Sequence, residues 1–99
     1  MFGKIEIPRD MFVVRPESIY GYDRPHTVIN QRMYITLRDD PHEWIVENVP
    51  NGFYQLLSEM ISVPDIIDPM SGALYGKMTT RVFLRTYEDS LLLFKMSCF

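Results

Sequence analysis

Apolar and polar residues alternate most clearly in the last fifth of the chain, residues 79 to 98. β-Branched and aromatic residues flank a polar break at Glu88, Asp89 and Ser90, a pattern that predicts a β-hairpin of residues 79–87 and 91–98. With those three residues as the loop, Thr86 faces Leu92, Leu84 faces Phe94 and Val82 faces Met96, so one side of the hairpin is almost wholly apolar. The other side carries Arg81, Phe83, Arg85, Tyr87, Leu91, Leu93 and Lys95. A two-residue loop would mix polar and apolar groups on both sides. The three-residue loop is therefore preferred, although it lacks the glycine usual at its left-handed position.

Upstream, Ile5 and Ile7 alternate with Lys4 and Glu6, as in a strand with one buried face, and Pro8 ends it. Met11 to Val14 is a second short apolar run closed by Pro16; Arg9 and Asp10 between the runs admit a turn or a bulge, the bulge making the two runs one interrupted strand. Residues 17 to 26 combine Gly21 and Pro25 with Tyr20, Tyr22, Asp23 and Arg24, the chemistry of an ordered loop. Residues 27 to 38 form a strand region, strongest from Arg32, where Met33, Ile35 and Leu37 alternate with Tyr34, Thr36 and Arg38; its apolar side is expected to meet the hairpin. Residues 39 to 49 admit a short helix capped by Asp40 with Pro41 at its first position, or a strand at Trp44 to Glu47, and their shortness favours the strand. The strongest helical spacing lies between Asn51 and Ile61, where Phe53, Leu56, Leu57, Met60 and Ile61 recur at i, i+3, i+4, i+7 and i+8. Asn51 would cap it and Pro64 would bar its continuation. Residues 63 to 76, with two Pro and two Gly, predict a long loop.

These elements make an α+β fold: one domain over residues 1–99, a mostly antiparallel sheet with a C-terminal hairpin and one main packed helix. Ninety-nine residues with 46% hydrophobic content can bury a core unaided by metal or disulfide. The formal net charge of −3 argues against indiscriminate coating of nucleic acid. Seven Arg against three Lys tilts the basic residues toward planar, multidentate recognition. Cys98 is the single cysteine, so no intrachain disulfide can form and an intracellular location is expected. Met1 to Arg9 is charged within its first six residues, unlike a signal peptide or membrane anchor, and no membrane association is expected.

Catalytic and metal motifs are weak. Gly72, Gly76 and Lys77 superficially resemble a phosphate-binding loop, but three residues rather than four separate the glycines and Met78 stands where Ser or Thr is required. Asp39, Asp40, His42 and Glu43 offer ligand atoms without metal-ligand spacing, so a solvated turn is the better reading. Glu59, Asp65 and Asp68 read as charged loop residues rather than paired catalytic carboxylates, and Cys98 as a small buried residue rather than a nucleophile. No enzyme activity, cofactor or metal is expected.

The remaining signal is an Arg and aromatic face shared by two strands: Arg32, Tyr34 and Arg38 on one, and Arg81, Phe83, Arg85 and Tyr87 on the other, with Leu91 and Leu93 beside them. Such a face suits a protein interface and also single-stranded nucleic acid, through phosphate pairing and base stacking. The glycines of an RNA-recognition sheet are missing from residues 81 to 87. The expected function is non-enzymatic binding to another protein or to a second copy as a homodimer, in a small accessory protein of the kind viruses and mobile elements carry. Nucleic-acid binding through the same face is the alternative.

Overall fold

The computed structural model describes residues 1–16, 24–30, 32–67, 70, 72 and 74–99, with 30, 62–67 and 74–78 as backbone alone. Among the described residues the fold is α+β, with two three-stranded antiparallel sheets and two α-helices. The first sheet contains β1 (Phe2–Glu6), β6 (Leu74–Tyr87) and β5 (Gln55–Ile67), in the order β1-β6-β5. The second contains β2 (Phe12–Pro16), β4 (Met33–Leu37) and β3 (His26–Asn30), in the order β2-β4-β3. Helix α1 covers Asp39–Asn48 and α2 covers Glu88–Cys98. A 3-10 turn at Arg9–Met11 carries the chain from the first sheet to the second. Of the two readings of Arg9 and Asp10, the turn holds, and the two early apolar runs are strands of different sheets rather than one interrupted strand.

Strand β6 is as expected over residues 79–87, but its partner is not 91–98. Those residues are helical, because Ser90, Leu91 and Phe94 are buried and Cys98 is half-buried, a helical spacing. The segment Glu88–Cys98 contains no β-branched residue, and its Glu88 and Asp89 at the start and Lys95 near the end suit the helix macrodipole. Thr86 consequently faces Gly3 rather than Leu92, and Leu84 faces Ile5 rather than Phe94.

The helix expected over 51–61 is also replaced. Asn51 sits at φ 59° and Gly52 at φ 60°, a left-handed pair that turns the chain into β5 instead of capping a helix. Tyr54, just before β5, and Leu56 are then buried while Gln55 and Leu57 are exposed, a period of two. Phe53, Leu56, Leu57, Met60 and Ile61 satisfy the helical template as well; pairing with β6 over Gln55↔Arg85 to Ile67↔Leu74 decides for the strand. Much of the loop expected over 63–76 is therefore strand, and the loop expected over 17–26 falls largely on residues 17–23, outside the described ones.

Of the two alternatives for residues 39–49, the short helix holds rather than the favoured strand at Trp44 to Glu47, and it is α1. Arg38 rather than Asp40 is its N-cap, and Pro41, Ile45 and Val49 are buried at four-residue spacing. Pro41 is tolerated because the first-turn N–H groups of a helix have no internal partner. The 27–38 region is two strands, β3 and β4, and the apolar side of β4 enters the shared core through Ile35 and Leu37.

One core joins both sheets and both helices. Leu84 and Val82 of β6, Leu56 of β5, Ile35 and Leu37 of β4, Ile45 of α1 and Phe94 of α2 are all at most 4% exposed. The Trp44 ring meets Phe94 edge-on at 5.5 Å and ties the helices together. Helix α2 lies against the inner side of β1, where a Cβ at Gly3 would come 3.1 Å from Glu88 Cγ and 3.3 Å from Leu91 Cδ1. Glycine is what lets the helix approach so closely.

Candidate functional site

The side of the first sheet away from α2 collects an aromatic and cationic surface. Alternation along β1 and β6 places Phe2, Lys4 and Glu6 beside Tyr87, Arg85 and Phe83, and the β5 register adds Gln55, Leu57 and Glu59 opposite Arg85, Phe83 and Arg81. Phe2 stacks on Tyr87 at 5.1 Å, and Phe53 closes the triad at 5.4 Å from Phe2 and 5.7 Å from Tyr87. The Thr86 hydroxyl, fully buried, donates to the Phe53 carbonyl at 2.6 Å and holds that ring's backbone against β6.

Among the described residues, each cation on this side has an internal partner. Arg85 lies 4.7 Å from the Phe2 ring centroid and donates to Gln55 Oε1 at 2.6 Å. Lys4 and Arg81 lie 4.9 and 5.2 Å from the centroid of Phe83. Arg81 Nε also donates to Glu6 Oε1 at 2.8 Å; that hydrogen bond and charge, with a smaller contribution from Glu59, raise the Arg81 pKa above its ordinary value. Among the described residues, three cations, Lys4, Arg81 and Arg85, stand among two carboxylates, Glu6 and Glu59. Phe2, 43% exposed, and Leu57, 37% exposed, leave large apolar area in water at the centre of this polar frame.

Of the residues expected to share one face, the structure brings together Arg81, Phe83, Arg85 and Tyr87 and separates the others. Tyr34 is on β4 of the second sheet, where its ring meets His26 at 5.4 Å; Arg32 is in the β3–β4 turn. Arg38 caps α1 and lines an open cleft of about 890 Å³ with Asp39, Asp40, Trp44 and Phe99. Leu91 is buried between α2 and β1, and Leu93 is exposed on α2. Mistaking α2 for a strand placed both leucines on the wrong surface. Sequence reasoning missed Phe2, Lys4, Phe53, Gln55 and Leu57; the alternation of residues 2–7 already set Lys4 and Glu6 on an outward side, whereas the β5 residues had no strand signal to find them.

Among the described residues, no three His, Cys, Asp or Glu side chains converge to hold a metal ion. His42 Nδ1 instead hydrogen-bonds with the buried Tyr54 hydroxyl at 2.8 Å. Glu59 lies opposite Arg81, while Asp68 and the side chains of Asp65 and Lys77 lie outside the described residues. Burial raises the pKa of Cys98, making its thiolate scarcer at neutral pH. No helix of the described residues is long and apolar enough to cross a membrane. No family model matches this chain, and comparisons with characterised proteins and with solved structures found no match.

Proposed function

We propose that this is a non-enzymatic binding protein whose first sheet presents Phe2, Leu57, Phe83, Arg81 and Arg85 to a protein partner. The observation that carries the reading is the way the rings are already engaged. Phe2 has Tyr87 stacked on it and Arg85 against it, and Phe83 has two cations within 5.2 Å. A nucleobase stacks on an open ring face, so binding one here would require displacing these contacts. Phosphate would likewise compete with Glu6 for Arg81. A protein surface needs no such displacement, because it can cover exposed ring edges and Leu57 while the cations remain at the rim. The overall charge of −3 points the same way.

The test uses wild-type protein and Phe83→Glu as baits in a lysate of the native host, with and without nuclease. The expected result is a protein retained in stoichiometric amount by the wild type, insensitive to nuclease and lost with Phe83→Glu. Retention that depends on nucleic acid favours base or phosphate binding instead. Equal retention by both baits removes the face from the function.

A further inference from the structure

The turn between α1 and β5 carries the one Asn-Gly pair of the sequence, Asn51 and Gly52; Asn30 and Asn48 are followed by Gln31 and Val49. Asn-Gly is a reactive pair. The glycine nitrogen can attack the asparagine Cγ, and glycine has no side chain to hinder the approach. Asn51 is exposed, and its side-chain amide makes no hydrogen bond among the described residues, so that group is open to attack.

The backbone of the turn holds the pair in an unreactive shape. Ring closure requires the Gly52 nitrogen to swing to the side of the Asn51 Cβ, eclipsing it about the Cα–C bond. At φ 59° and ψ 13° it nearly eclipses the nitrogen of Asn51 instead and faces away from Cγ. The Gly52 N–H is also engaged, donating to Val49 O at 2.8 Å. Turning ψ to the reactive value breaks that bond and moves Gly52, where an added Cβ would already lie 3.4 Å from Val46 Cα. Just beyond, the Phe53 N–H donates to Pro50 O at 3.3 Å and the Phe53 carbonyl accepts from Thr86. The turn must therefore open before the pair can react.

We propose that Asn51 is a spontaneous modification site gated by the folding of this turn: protected while the turn is closed, it deamidates irreversibly once the turn opens. In the open turn the Gly52 nitrogen forms a C–N bond to Cγ, closing a five-membered succinimide. The Asn51 Nδ2 leaves as ammonia, taking up the proton that the Gly52 amide has lost. Water then adds to one of the two imide carbonyls and breaks one C–N bond. Hydrolysis at the side-chain carbonyl leaves aspartate, and hydrolysis at the main-chain carbonyl leaves an isoaspartyl link that runs through Cβ and Cγ. That link lengthens the backbone by one carbon, so the turn cannot re-form and Phe53 loses the position from which its ring meets Phe2 and Tyr87. Water is the only co-reactant, and the change does not depend on what the aromatic face binds.

The test follows Asn51 by peptide mass spectrometry at pH 8 in native protein, in protein unfolded by urea and in a synthetic peptide of residues 47–56. Native protein should deamidate at least about tenfold more slowly than the peptide, and urea should remove the difference, as for chemistry that proceeds only from an opened state. Isoaspartyl protein, formed in urea, separated from the aspartyl form and refolded, is then compared with Asn51→Asp. It should melt at least about 4 °C lower and lose aromatic circular dichroism, because aspartate tolerates a left-handed backbone whereas the added carbon does not fit the turn. A smaller difference between native protein and peptide, or an isoaspartyl form as stable as Asn51→Asp, overturns the proposal.

Discussion

Thr86 shows how one buried hydroxyl positions a surface. It is 0% exposed and its Oγ donates to the Phe53 carbonyl, so the ring triad of Phe2, Phe53 and Tyr87 depends on a bond made beneath it. Thr86→Val keeps the shape and deletes the donor, leaving that carbonyl without the bond; the expected cost is about 1–2 kcal/mol in a urea melt, with Thr86→Ser closer to wild type. Cys98 responds to a different force. Because burial raises its pKa, alkylation by iodoacetamide at pH 8 should run slower than that of a free cysteine and accelerate when urea unfolds α2. Unchanged kinetics on unfolding would place the thiol in open water. Of the surface, Arg81, Phe83, Arg85 and Tyr87 were legible in the sequence because their alternation is local to one strand. Phe53 and Leu57 were not, since their place depends on a strand pairing that no local pattern announces.

Strand β5 and helix α2 are the elements where periodicity misleads. The sequence from Phe53 to Ile61 matches a helical stripe, and the strand buries a different set: Leu56 is 4% exposed while Leu57 is 37% exposed. A helical stripe would bury both. Leu56→Asp should therefore cost on the order of 3–5 kcal/mol or leave the domain unfolded, and Leu57→Asp no more than about 1 kcal/mol, as read by thermal melts. Similar losses at both positions would restore the helix. The entry to β5 is equally specific. Gly52 sits at φ 60°, and a Cβ there would lie 3.4 Å from Val46 Cα, so Gly52→Ala should lose about 1–2 kcal/mol. For α2, the missing β-branched residues and the acidic first turn were signals in plain sight. The apolar run Leu91–Phe94 hid them, because four consecutive apolar residues satisfy either period.

At the scale of the whole molecule, the unequal lengths of β1 and β5 along β6 predict a pattern in amide exchange. Val82 O faces β1, so alternation turns Gly76, Met78 and Thr80 away from β5, and their amides should exchange faster than those of Lys77, Thr79 and Arg81, whose N–H groups point to β5. Uniform protection along β6 would contradict this alternation. What the sequence determined by itself was the class of the fold, the strand character of residues 2–6, 33–37 and 79–87, and the outward row from Arg81 to Tyr87. These follow from steric preference and from alternation within one segment, which need no distant partner. Only the tertiary structure decided that 55–67 is a strand, that 39–48 and 88–98 are helices, and that β4 and β6 belong to different sheets. The reason is energetic: where two periods fit a segment equally well, the choice falls to the one whose apolar side reaches the common core formed by Leu56, Leu84, Ile45 and Phe94, and that core exists only once the whole chain has come together.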